Sequence, residues 1–120
     1  MLSVTRAGQI RLTRGDTLDI PFELNAGTSM DPIRYQMRAS DELYFGLMEP
    51  NQPWEFAILK KKYTGVDFID GVINIHLDPE DSMCLIPGLY YYQMKVRIKK
   101  SDDSYIVNTV IPKTQFYIEE

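Results

Sequence analysis

An all-β sandwich of about seven to eight antiparallel strands is predicted by three features of this 120-residue chain. Apolar residues recur at every second position over most of the sequence, the period of a half-covered strand, and no long segment shows a helical period. Clusters of Gly, Pro, Asp, Asn and Ser separate these runs at the short intervals a sandwich requires. The chain also holds eight Tyr, five Phe and one Trp, side chains that pack well on pleated surfaces.

Taken in order, Gln9–Thr13 reads as a first strand, and Arg14-Gly15-Asp16 turns the chain into a second. In Thr17–Leu24 the residues Leu18, Ile20, Phe22 and Leu24 face one way. Pro21 lacks an N–H for the ladder, so this strand is expected to have an open side or a bulge there. Asn25–Pro32 is expected as a loop. Glu42–Glu49 places Leu43, Phe45 and Leu47 on one face and Tyr44, Gly46 and Met48 on the other. A second loop, Pro50–Trp54, leads to Phe56–Tyr63, a lysine-rich edge strand; edge lysines block unwanted pairing.

Asp70-Gly71 opens the strand Gly71–Leu77, with Ile73, Ile75 and Leu77 inward and Asn74 and His76 outward. Asp78–Leu85 is expected to make one helical turn, because Asp78 can cap it and Pro79 suits its first position. Pro87-Gly88 launches the clearest alternation, Gly88–Lys100, with Tyr90, Tyr92, Met94, Val96 and Ile98 on one face. Ser101–Ser104 reverses the chain into Tyr105–Ile111 and Gln115–Ile118, one strand interrupted at Pro112 by a bulge or a switch of sheet.

A single domain over residues 1–120 fits this length, and 44% hydrophobic with 25% charged residues is the balance of a globular chain. The formal charge of −4 and the short basic clusters Lys60–Lys62 and Arg97–Lys100 argue against a nucleic-acid partner, which needs a basic stripe. No apolar run reaches the roughly 18 residues of a membrane span. Met1–Ile10 has no apolar core of a secretory signal, so the expectation is a soluble product of the cytoplasm. Cys84 is the sole cysteine, so no intrachain disulfide can form.

No catalytic, cofactor or metal site is expected. His76 is the only histidine, alternates outward, and is not tied to Cys84 by anything local, whereas nucleophilic catalysis needs a base in reach of its nucleophile. Asp67, Asp70, Asp78, Glu80 and Asp81 lack the ligand spacing of a calcium loop and sit where turns and caps favour carboxylates. Arg14-Gly15-Asp16 matches an integrin-ligand tripeptide, but it reads as a turn between strands. Tyr91 points away from the Tyr90 and Tyr92 face. With Tyr44 and Met48 it is a candidate apolar contact surface, and Trp54 in its Pro-flanked loop is a fourth candidate, since interfaces favour Trp.

The segment Asp81–Tyr92, with Pro87-Gly88-Leu89-Tyr90 leading into a long strand, resembles the tyrosine-corner approach to strand F of immunoglobulin-like domains. Tyr92 stands where antibody-type domains carry their second cysteine, so the resemblance implies an immunoglobulin-like sandwich without the disulfide. The order of features is also similar to tail and baseplate proteins of phages of Gram-positive bacteria, in particular the N-terminal domain of phage upper baseplate proteins. The matching stretches are Ile10–Phe22, Glu42–Pro50, Leu85–Val96 and Thr109–Ile118. This resemblance implies a non-enzymatic virion protein of tail, baseplate or head-accessory type, made in the host bacterial cytoplasm. It would assemble with copies of itself and other virion proteins. The other reading is a carbohydrate- or cell-surface-binding module, with Trp54 and exposed tyrosines stacking on host surface glycans.

Overall fold

Alternation becomes strands along most of the chain. The computed structural model describes residues 3–4, 8–27, 32–35, 37–69 and 71–120; Asp70 and residues 28–31 of the first expected loop lie outside them. The strands are β1 (Ser3–Val4), β2 (Ile10–Thr13), β3 (Leu18–Gly27), β4 (Pro32–Arg34), β5 (Glu42–Met48), β6 (Leu59–Thr64), β7 (Phe68–Ile69), β8 (Val72–Leu77), β9 (Gly88–Lys99) and β10 (Tyr105–Glu119). Two 3-10 turns, Trp54–Phe56 and Gly65–Asp67, and one short helix, α1 (Pro79–Met83), complete the described elements.

Two sheets of five strands result. One runs β1-β3-β8-β7 with β4 also against β3, and the other runs β2-β10-β9-β5-β6. These are the A-B-E-D and G-F-C-C′ orders of an immunoglobulin-like sandwich, with β2 added beside the last strand. Seven strands have four or more residues, which is the expected set; β1, β4 and β7 are short additions. One pairing departs from the antiparallel expectation: β2 lies parallel to β10, Ile10 opposite Phe116. Because β1 pairs in one sheet and β2 in the other, the start of the chain serves both.

The core lies between the inner faces. Phe22, Leu24, Leu43, Phe45, Leu47, Ile73, Ile75, Leu77, Tyr92, Met94, Val96, Ile111 and Phe116 are all buried within it. Tyr92 fills the space of the missing cysteine, stacked on Phe45 with ring centroids 5.7 Å apart and edge-on to Phe116 at 6.2 Å. Its hydroxyl reaches across to donate to the Gly8 carbonyl at 2.6 Å. The tyrosine corner is present as well: the Tyr90 hydroxyl donates to the Ile86 carbonyl at 2.6 Å, from two residues before Tyr92.

Several boundaries differ from expectation, each for a physical reason. The loop expected from Asn25 is instead a hairpin, because β3 continues to Gly27 and pairs with β4, Asn25 opposite Arg34 and Gly27 opposite Pro32. Pro32 is tolerated there because an edge position needs no ladder N–H. Among the described residues Pro21 has β8 on one side only, since β1 and β4 meet β3 beyond residue 23. The lysine-rich strand starts at Leu59 rather than Phe56, after the 3-10 turn. At Pro112 the chain bulges within one sheet and does not switch: the β9 register shifts between Thr109 and Ile111 and again before Thr114. The bulge turns two consecutive residues, Val110 and Ile111, inward.

The β9–β10 hairpin, not β9 alone, is the longest feature, with arms of 12 and 15 residues. At about 3.3 Å per residue its arms match the 44 Å long dimension of the molecule. Its tip turns through Ser101–Ser104, closed by the Lys100 N–H donating to the Ser104 carbonyl at 2.8 Å and by Asp103 at φ 65°.

Candidate functional site

The outer face of the β2-β10-β9-β5-β6 sheet gathers three of the four candidate contact residues. Alternation in β5 puts Tyr44 and Gly46 outward, and their partners in register are Lys62 and Lys60 on β6 and Lys95 and Gln93 on β9. After β5 the chain folds back over this face, tied by the Ile58 N–H donating to the Leu47 carbonyl at 2.8 Å. The Lys113 ammonium also holds the loop, donating to the Gln52 carbonyl at 2.7 Å. The 3-10 turn at Trp54–Phe56 thereby lays the half-buried Trp54 ring on Gly46. A methyl group at residue 46 would come within 2.4 Å of the Trp54 Cζ3 atom, so the ring requires a glycine beneath it.

Tyr44 is half-buried beside this ring, and Tyr91, opposite Met48 in register, is half-exposed on the same face. Met48 is corrected: its side chain is fully buried, adjoining the segment that folds back, and offers no contact surface. Residues that alternation alone did not single out are the exposed Phe56, Ile58, Tyr105, Ile106 and Val107. Their signal was the 3-10 turn and the length of the hairpin, neither of which period-two patterning reports.

Cations surround the tryptophan. The Lys60 and Lys95 ammonium groups stand 5.1 and 4.9 Å from the Trp54 ring centroid, and the Arg97 guanidinium lies 3.5 Å over the Tyr105 ring. Tyr44, Trp54, Lys60, Lys95, Arg97 and Val107 line a groove of about 280 Å³. Glu42 edges it, accepting from the Tyr44 hydroxyl and pairing with Lys62 at 3.4 Å. The hydroxyl's bond pulls the Glu42 carboxyl below its ordinary range and pushes the Tyr44 phenol up.

His76 lies on the opposite sheet, exposed, with Nδ1 2.6 Å from Asp19 Oδ1 and Nε2 2.8 Å from Asp78 Oδ1. Cys84 is exposed, and among the described residues its thiol meets the Glu80 carbonyl and not His76. Three of the five acidic residues take the expected capping roles: Asp67 and Thr64 form one capping box and Asp78 and Asp81 another, while Asp70 lies outside the described residues. Among the described residues no three His, Cys, Asp or Glu side chains group so as to hold a metal. Arg14-Gly15-Asp16 is part of the fold. Gly15 adopts φ 88° and its N–H donates to the buried Ser82 hydroxyl of α1 at 2.8 Å.

Fold and site define an immunoglobulin-like β-sandwich with an aromatic, cation-lined groove on its outer sheet face. No protein-family model matches the chain, and no characterised protein matches its sequence.

Proposed function

We propose that the chain is a non-catalytic structural subunit of a phage or prophage virion, of tail, baseplate or head-accessory type, working by packing against copies of itself and neighbouring virion proteins. The observation that carries this reading is the open edge of β10. β2 pairs only with residues 116–119, so among the described residues no strand covers that edge between Tyr105 and Gln115. Residues 105–111 read Tyr-Ile-Val-Asn-Thr-Val-Ile, uncharged and rich in β-branched side chains, with Val107 60% exposed. An uncharged, strand-forming edge invites another strand. The edge at β6 is instead guarded by Lys60, Lys61 and Lys62. The resemblance of four stretches to phage baseplate proteins supports the same assignment, as does the placement of those stretches on strands and turns. Repetition around a symmetric ring would multiply modest contacts into stable assembly.

Light scattering coupled to gel filtration is expected to show an oligomer that Ile106→Lys with Val107→Lys dissociates, and labelled antibody is expected to find the chain in purified virions. A monomer absent from particles would overturn the proposal. A second reading, a carbohydrate-binding module, is favoured by one feature, the groove over Trp54, and binding on a glycan array would support it.

A further inference from the structure

We infer that the groove over Trp54 binds a sugar bearing a negative charge, a sugar acid or sugar phosphate unit of an acidic polysaccharide. This rests on the carbohydrate-binding reading of the groove and is independent of the virion assignment. In a chain of net charge −4, Lys60, Lys95 and Arg97 converge on one depression, and among the described residues none has a carboxylate within ion-pair distance. The rings they lie over are Trp54 and Tyr105, and the Arg97 guanidinium also reaches the Tyr44 hydroxyl. Cation–π contacts at exposed sites are weak, whereas a charge-assisted hydrogen bond to an anion is stronger. An anion therefore draws these groups from the rings and leaves the indole free to stack.

The size and charge of the site narrow the ligand. A groove of about 280 Å³ lies near the small end of ligand sites, about 300–1,000 Å³, room for one ring rather than a folded partner. Trp54 and Val107 supply apolar walls, which suit the C–H face of a sugar ring. Glu42, opposite Arg97 in register and paired with Lys62 at 3.4 Å, offsets only part of this charge, while Lys99 is paired outside the groove with Asp103 at 3.4 Å. Three cations in one depression match a ligand with one or two charges, and not the continuous phosphate track of a nucleic acid, which needs an extended basic stripe.

Trp54 is the only tryptophan, so its fluorescence reads the groove directly. Trigalacturonic acid and glucose 6-phosphate, tried separately, identify whether carboxylate or phosphate serves; maltotriose, glucose, inorganic phosphate and oligothymidylate are the comparisons. Saturable change with a charged sugar, weakened by salt and about tenfold weaker with its neutral counterpart, is expected. Lys95→Gln and Arg97→Gln should each weaken it several-fold while the circular dichroism spectrum is kept, and Lys100→Gln, outside the groove, should not. Equal binding of maltotriose would overturn the charge requirement yet leave the carbohydrate reading standing. Silence with every sugar would remove both. Inorganic phosphate binding as well as the sugar phosphate, or oligothymidylate binding more tightly than either charged sugar, would also overturn the inference.

Discussion

His76 sits between two carboxylates because register and a cap place them there. Asp19 on β3 is its direct cross-strand partner, and Asp78 is the cap of the helix that follows its own strand. The hydrogen bond to Asp19, then that to Asp78, raises the imidazole above its ordinary 6.5, and the bond from His76 lowers Asp19 below 3.8. For a raised histidine, the contribution to stability is fully present below the unfolded pKa and is lost as pH rises through the folded one. For the lowered Asp19, it is present above the unfolded carboxyl value and lost as pH falls through the folded value. Both groups are thus charged and paired between roughly pH 4 and 6.5. All three side chains are exposed, so the effect on overall stability is small. A histidine NMR titration is expected to give a midpoint above 6.5 that falls in Asp19→Asn; a midpoint at or below 6.5 in the unmodified chain would refute the pairing. The outward direction of His76 was legible from alternation alone, but its carboxylate partners needed the register. Asp41 was not legible at all. It is fully buried, accepting from the Tyr35 hydroxyl at 2.7 Å and the Arg38 N–H at 3.0 Å, and burial with that bond pushes Tyr35 up to about 12. An Asp after Ser40 reads as a turn residue, and nothing local announces a phenol six positions earlier folding onto it.

Among the elements, β5 and the turn after it form one unit, and Gly46 is its joint. Gly46→Ala places a methyl group against the Trp54 ring, so either the ring lifts or the strand shifts. Overpacking of this kind typically costs about 1–3 kcal/mol. The expected result is a destabilisation of that order with a red shift of Trp54 emission; an unshifted spectrum at unchanged stability would show that the ring does not rest there. A glycine inside a strand pattern was the available signal for this close approach, though it did not say which residue approaches. Other elements were more fully legible. β9 alternates as written, Tyr90, Tyr92, Met94 and Val96 buried, because every second residue is apolar over its length. An interruption at Pro112 was legible because proline cannot keep the ladder, but the choice of a bulge over a switch of sheet needed the β9 register. The hairpin of β3 with β4 was hidden because Asn25, Ala26 and Gly27 have low strand preference, and only their pairing with residues 32–34 shows that they extend the strand.

At the scale of the whole molecule, one aromatic cluster on the inner face of one sheet sits in the core shared with the other, and stability should be correspondingly indivisible. Tyr92 is the largest fully buried side chain. It belongs to the middle of β9, stacks on Phe45 of β5, meets Phe116 of β10 and bonds Gly8 ahead of β2. An aromatic here does sterically what a disulfide does covalently in antibody-type domains, filling the space between the sheets without a cross-link. Removing the ring deletes transfer energy, leaves a cavity and loses the bond to the Gly8 carbonyl, and large-to-alanine changes of aromatic core residues cost about 3–5 kcal/mol. Domains have only about 5–15 kcal/mol in total, so Tyr92→Ala should consume a large share and lower the urea midpoint sharply. Tyr92→Phe keeps the ring and loses one hydrogen bond, so about 1 kcal/mol is expected. The same cluster spans β5, β9 and β10 of one sheet and belongs to the core shared with the other, so tryptophan fluorescence and circular dichroism should report a single coincident transition in the unmodified chain. Separate transitions, or a Tyr92→Ala variant as stable as Tyr92→Phe, would show that the two sheets do not depend on this side chain to act as one body.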